Sequence, residues 1–170
     1  MERTLGLVAT GTLFLAMPVL AQTINFDDAK VGEAPPGWTA TKTGKGEPKW
    51  TIEKDATAPS QPNVLKQSGV AAYPLCLKND TSLKDGFVKT HFKALSGKDD
   101  QAAGVVWRAK DADNYYIARA NALENNVCIY HTIKGKRTEK KRVEVIVSAN
   151  EWHSFRVDFA GNHFTVSLDG

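Results

Sequence analysis

The chain has 170 residues, of which 42% are hydrophobic, 24% charged and 9% aromatic, and its formal net charge is +3. Such fractions exclude a disordered polyelectrolyte, a collagen-like or coiled-coil fibre and a disulfide-dense miniprotein, each of which departs strongly from average globular usage. A surplus of three charges is too small to imply a nucleic-acid partner. The two cysteines, with no Cys-x-x-Cys or Cys/His spacing, offer no zinc site.

Arg3 gives a short basic start, residues 5–20 are apolar or small without a charge, and Val19-Leu20-Ala21 places small or apolar residues before a cut. This is the pattern of a secretory signal peptide. The run is broken by Thr10, Gly11, Thr12 and Pro18, and it falls short of the roughly 20 apolar residues that a membrane-spanning helix needs. Residues 1–21 are therefore expected to be removed. That leaves 22–170 as one domain, long enough to bury a single core, periplasmic or secreted from a bacterium, with no transmembrane anchor. An oxidising compartment permits a bond between Cys76 and Cys128. Both lie among apolar neighbours, however, and read more simply as small buried hydrophobes.

Residues 22–62 are crowded with turn-formers, among them Gly32, Pro35, Pro36, Gly37, Gly44, Gly46, Pro48, Pro59 and Pro62. Only short strands fit between them, such as Ile24–Phe26 and Trp50–Glu53. From residue 63 the pattern is strand after strand: Val64–Gln67, Ala71–Leu77, Phe87–Leu95, Ala102–Arg108, Tyr115–Ala120, Asn126–Ile133, Val143–Val147, Trp152–Phe159 and His163–Leu168. Several alternate with period two, Ala103, Val105 and Trp107 against Gly104, Val106 and Arg108 being one case. Lys134-Gly135-Lys136 and Ala160-Gly161-Asn162 read as hairpin turns. About ten short strands at this spacing, with no repeat and no linker, predict an all-β antiparallel sandwich of two sheets. Asp169-Gly170 is itself a hairpin signal. A strand left unpaired is a liability, so the reading is of a fragment or a truncated gene product whose last strands are missing.

The run Asp113–Val127 resembles a hallmark of secreted bacterial β-sandwich domains similar to the 3-keto-disaccharide hydrolase-like group, within the concanavalin A-like lectin/glucanase and laminin-G-like jelly rolls. Phe26-Asp27-Asp28 with Gly32, Pro36-Gly37-Trp38, Ala103–Arg108 and Glu151–Val157 fit the same pattern. The resemblance covers nearly all of residues 22–170 and implies a jelly roll. It is weak for activity, since lectins, adhesion modules and hydrolases share that fold. It also implies a further strand or two, often carrying a Phe-Asp-Asp motif that this chain lacks.

The candidate site is the polar and aromatic set Tyr115, Arg119, Asn121, Glu124 and Asn126, with Arg108 as a possible anchor. Sugars need such a mixture: planar amide and guanidinium groups for hydroxyls, aromatic faces for C–H surfaces. The same residues also fit a structural network, in which Asn121 and Asn126 hold the 121–126 turn through Asx bonds and Glu124 pairs with Arg119. Arg108 reads equally as a surface residue or a partner of Asp113. Trp107 and Trp152 are expected in the core, while Trp38 and Trp50 are left open.

A glucanase of this superfamily needs two carboxylates flanking the scissile bond, and no strand carries acids at alternate positions. That argues against a two-carboxylate glycosidase. A 3-keto-glycoside hydrolase or lyase needs only one general base. Glu124, His91 and His131 are conceivable, and none is assigned the role. No cofactor is expected. Asn25, Asp27 and Asp28 offer oxygen ligands for Ca²⁺, against the simpler reading of a solvated turn. Lys134–Arg142 holds six basic residues against Glu139, which reads first as a solvated hairpin with Lys on an edge strand and secondarily as a surface for an anionic polysaccharide or the cell envelope. The expected function is recognition of a carbohydrate ligand by an exported β-sandwich. The alternatives are a hydrolase or lyase on 3-keto-glycosides and a structural or adhesion module.

Overall fold

The computed structural model describes residues 21–170; the expected signal segment lies outside them except for Ala21. The described chain contains strands and turns without a helix. In chain order the strands are β1 (Trp38–Lys42), β2 (Gly46–Glu47), β3 (Trp50–Lys54), β4 (Asn63–Gln67), β5 (Val70–Ala71), β6 (Pro74–Lys78), β7 (Gly86–Lys93), β8 (Ala102–Asp111), β9 (Asn114–Asn121), β10 (Asn126–Ile133), β11 (Lys136–Glu144), β12 (Trp152–Ala160) and β13 (His163–Leu168). All pairings are antiparallel. A four-stranded sheet β11-β10-β9-β8 faces a three-stranded sheet β13-β12-β7, and the pairs β1-β6, β2-β5 and β3-β4 form two-stranded ribbons. The expected all-β sandwich is the observed fold.

Period-two alternation sends one face of each large sheet into a common core. Val105, Trp107, Ala118 and Ala120 come from β8 and β9; Phe92, Phe155, Val157 and Phe159 come from β7 and β12. Trp107 lies between Tyr116 and Phe159, with ring centroids 5.7 Å and 6.2 Å away, and meets Phe164 edge-on at 5.2 Å. Trp107 is thus the core residue the sequence reading expects. Trp152 is only half-buried, its ring under Lys93 Nζ and its Nε1 donating to Thr57 Oγ1 at 3.0 Å. Together with an Asp55–Lys93 ion pair, this bond ties the β3–β4 connection to β7 and β12. Trp38 and Trp50 are half-buried as well, Trp38 packing on Phe26.

Three expectations for the strands need correction. Ile24–Phe26 is not a strand: the Asn63 side-chain amide donates to the carbonyls of Phe26, Asp27 and Ala29, so these groups are satisfied without a ladder. Val143–Val147 is not one either. The strand is the Lys-rich Lys136–Glu144, and the chain then leaves the sheet because Asn125 takes over its donors: Val145 N–H reaches Asn125 O at 3.0 Å, and Val147 N–H reaches Asn125 Oδ1 at 3.1 Å. Val147 enters the core from this loop, while Ile146 is exposed. Ala71–Leu77 is two strands, broken at Ala72 and Tyr73, where Tyr73 takes φ 44°. The hairpin at Lys134-Gly135 is as expected, with φ 50° and 74°, the two positive values of a tight I′ turn. Cys76 and Cys128 are both free; burial pushes the Cys76 thiol up to about 11.

Candidate functional site

The odd-numbered residues of β9 turn away from the core. Register carries that face across the sheet: Arg119 opposes Gly104 on β8 and Cys128 on β10, Asn121 opposes Asn126, Tyr115 opposes Thr132, and Cys128 in turn opposes Arg142 on β11. Arg119 is at the centre. Its Nη1 donates to Asn126 Oδ1 at 3.0 Å, and its Nη2 donates to Glu124 Oε2 at 2.8 Å and to the Tyr130 hydroxyl at 3.3 Å. Asn126 Nδ2 donates to the same Glu124 oxygen at 3.2 Å. Asn121 closes the 121–126 turn, its Oδ1 accepting the N–H groups of Leu123 (2.9 Å) and Glu124 (3.3 Å), while its Nδ2 donates to Asp100. The structural-network interpretation is therefore realised for the Asn121 turn bonds and the Arg119–Glu124 pair, while Asn126 bonds the Arg119 and Glu124 side chains rather than the turn backbone.

Two bulges alter the expected set. The β8–β9 register shifts between Trp107 and Asp111, and Arg108 adopts φ 51°. Strict alternation would keep Arg108 beside Gly104 and Val106. Instead its guanidinium lies over the rings of Phe159 and Phe164, bonds the Lys84 carbonyl at 3.0 Å and pairs with Asp85 at 3.4 Å. Arg108 is therefore separate from the Arg119 cluster, and its partner is Asp85 rather than Asp113. The second bulge has the opposite effect. The β10–β11 register shifts at Ile129/Tyr130 and skips Lys140. An unbroken strand would put Arg137 and Arg142 on opposite faces; the skipped residue brings both onto the Arg119 face. Arg142 Nη2 meets Glu139 at 2.9 Å and its Nη1 reaches Glu124 at 4.0 Å.

Tyr115 is also on this face but is buried and engaged elsewhere, its hydroxyl 2.8 Å from Thr43 Oγ1. That contact brings the end of β1 against the sheet. The Arg137 guanidinium, in the same region, lies 3.9 Å from the Tyr73 ring centroid and 4.7 Å from that of Tyr130. Arg119, Asn121 and Asn126 are buried. The accessible rim consists of Tyr73 (43% exposed), Arg137, and the side chains of Glu124 and Arg142, 43% and 41% exposed. Asp100, Tyr73, Tyr130, Arg137 and Arg142 are absent from the sequence-derived set. Tyr130 carried a signal, since it follows Asn126 and Cys128 at strand spacing. The others are brought in by tertiary contact or by the bulge.

Charge in the cluster is arranged unevenly. Hydrogen bonds from Arg119 and Asn126 hold the Glu124 carboxyl below its usual range. Asp100 is raised, first by burial of its inward-turned carboxyl end and also by the nearby Glu124 charge, although the residue as a whole is exposed. Burial pushes the Tyr130 hydroxyl up to about 12, so it is a neutral donor or acceptor near neutral pH. Burial, the largest single influence, would weaken the Arg119 charge, but the Glu124 bond together with the nearby Tyr130, Asp100 and Glu124 charges outweighs it. The arrangement can present fixed guanidinium donors, a carboxylate acceptor and an aromatic face to a polar ligand.

The face is shallow, and two clefts lie elsewhere. One of about 430 Å³, between β10, β11 and β13, is lined mainly by apolar residues such as Val127, Ile129, Phe164 and Val166. The other, of about 330 Å³, lies at the ends of β7, β12 and β13 around Phe87 and Phe159. Among the described residues no group of three His, Cys, Asp or Glu side chains gathers as a metal site, and no helix is long and apolar enough to cross a membrane. Asp27 and Asp28 lie in an exposed turn.

No protein-family model matches the chain, and no curated protein matches it in sequence. Among solved structures it is similar to the carbohydrate-binding module CBM66 from Bacillus subtilis, with 18% identity and a TM-score of 0.58 over 78% of this chain and 74% of that one. At that identity the likeness shows a shared β-sandwich fold.

Proposed function

We propose that the protein recognises a carbohydrate, and that the ligand meets the β9–β11 face at the rim formed by Tyr73, Glu124, Arg137 and Arg142. One observation carries the reading: an exposed tyrosine ring and fixed guanidinium groups stand side by side on this face, braced by the buried Arg119–Glu124–Asn126 network. Aromatic faces take the C–H side of a sugar ring, and planar donors with a carboxylate take its hydroxyls. The fold shared with a carbohydrate-binding module adds support. Arg119, Asn121 and Asn126 then position the rim, and Tyr115 and Arg108 stand apart from it. The signal-like residues 1–21 make this an exported protein, periplasmic or secreted; mass spectrometry of the mature N-terminus tests that.

The test of recognition is a glycan array followed by affinity electrophoresis on the polymers retained. Tyr73→Ala is expected to weaken binding at least tenfold with the melting temperature nearly unchanged, since Tyr73 is exposed. Failure of the folded protein to retain any glycan overturns the reading in favour of a structural or adhesion module.

A second reading, hydrolysis or elimination of a 3-keto-glycoside, draws on one feature: Asp100 is held toward its protonated form near a Glu124 held ionised, the separation that acid–base pairs use. It predicts turnover of a 3-keto-glucoside that Glu124→Gln and Asp100→Asn abolish.

A further inference from the structure

Three guanidinium groups share the β9–β11 face, and two of them are already matched to carboxylates. Arg119 is bonded to Glu124 and Asn126, and Arg142 to Glu139. Arg137 has no ion pair among the described residues. It is nonetheless held by two aromatic rings, with the Tyr73 centroid at 3.9 Å and the Tyr130 centroid at 4.7 Å. Stacking of this kind fixes the plane of the guanidinium and leaves its edge to bond. Tyr73 reaches that position from a backbone φ of 44°, a sparsely populated value for a bulky residue. The cross-strand neighbour of Arg137 is Thr132, only 1% exposed, whose Oγ1 has no hydrogen-bond partner. Arg137 Nε and Arg119 Nε are buried without partners too. Donors therefore outnumber acceptors along this stretch of the face. The acids nearby are engaged: Glu124 by Arg119 and Asn126, Asp100 by Asn121, Glu139 by Arg142.

A held guanidinium that makes no ion pair, and feels the Asp100 carboxyl only at longer range, is matched best by a carboxylate, whose two oxygens fit the planar fork. A neutral hydroxyl would leave the charge unpaired. The same hairpin carries Lys134, Lys136, Lys140 and Lys141, a positive field that draws a polyanion and weakens with salt. Resting on the carbohydrate reading above, we propose that the glycan bound here is acidic, built from uronic-acid-type sugars, and that Arg137 takes the sugar carboxylate.

The experiment is titration of the full chain with polygalacturonate and alginate, alongside methyl-esterified polygalacturonate, dextran and dextran sulfate, at low and high salt. The expected result is salt-sensitive binding of the two polyuronates, loss of binding on esterification, and at least a tenfold weakening in Arg137→Gln. Arg137→Lys is expected to recover only part of it. Circular dichroism and a melting curve check that each variant folds, and the esterification comparison needs no variant at all. Equal binding of esterified or neutral polymers, or an Arg137→Gln protein that binds as wild type, overturns the carboxylate assignment and leaves carbohydrate recognition standing. Preference for dextran sulfate overturns it in favour of a sulfate ester. A folded protein that binds none of the polymers overturns the assignment, and the glycan array then decides the wider reading.

Discussion

Gly104 stands opposite Arg119 in the β8–β9 ladder, and a Cβ built on it would lie 1.9 Å from the Ala118 carbonyl oxygen and 2.7 Å from Arg119 Cα. Both neighbours are backbone, so neither can swing aside. Gly104→Ala is expected to cost about 1–3 kcal/mol through forced displacement of β9, seen as a melting temperature lower by several degrees. Arg119→Ala acts differently. It leaves Asn126 Oδ1 and the Tyr130 hydroxyl short of a buried donor, a loss of about 2–3 kcal/mol measurable by denaturant titration. Arg119→Lys is expected to restore little, because an ammonium cannot span Asn126 and Glu124 as the fork does. At this scale much was readable from the strand spacing. Arg119, Asn121, Glu124 and Asn126 lie close in sequence, so local geometry brings them together. Asp100 and Tyr73 are distant in the chain, and no local pattern points to them.

Strand β11 shows what one residue does to an element. The bulge at Lys140 changes which side chains share a face, placing Arg142 with Arg137. Deleting Lys140 is expected to remove the bulge and leave an unbroken ladder in which Arg137 still opposes Thr132 and Arg142 still opposes Cys128, so both stay on this face. The deletion variant is then predicted to fold with a melting temperature near wild type and to keep glycan binding within a few fold, checked by affinity electrophoresis. The Arg108 bulge is the converse case, removing a residue that strict period two assigned to the face. Val143–Val147 misled for another reason: its β-branched residues suit a strand, yet the donors of Val145 and Val147 go to Asn125. Strand propensity describes a fit to a surface, and a competing side chain overrides it.

Across the whole molecule the two large sheets are joined by the core and closed by His153. Its Nδ1 lies 2.8 Å from Asp169 Oδ2 and its Nε2 2.9 Å from the Ser148 carbonyl. Both partners only accept, so both ring nitrogens carry protons in the fully bonded state. Burial, the largest single influence, opposes that charge, but the Asp169 and Ser148 bonds with the Asp169 and Glu151 charges together outweigh it, and His153 sits above its ordinary 6.5. Its contribution to stability is therefore complete below about pH 6.5 and is lost as pH rises through the raised value. Burial pushes Asp169 up, but the His153 and Ser154 bonds with the histidine charges together hold it below 3.8, so its share is present above that pH and lost as pH falls through the lowered value. Melting temperature is expected to be highest in the mildly acidic range and to fall toward alkaline pH; Asp169→Asn should flatten that slope. Phe155, fully buried between the sheets, is the test of the core itself: Phe155→Ala is expected to cost about 3–5 kcal/mol by chemical denaturation.

From sequence alone came the all-β class, the alternating faces of β8 and four members of the Arg119 cluster, Arg119, Asn121, Glu124 and Asn126. These depend on period two and on contacts a few residues apart, which a chain displays directly. Tertiary structure decided the rest: which arginines share the face, that Arg119 and both asparagines are buried while Tyr73 and Arg137 form the rim, and how the ribbons attach. A single bulge reverses facing without changing composition, and a contact between distant strands costs chain entropy that only the assembled core offsets. Neither leaves a periodic trace in the amino-acid order.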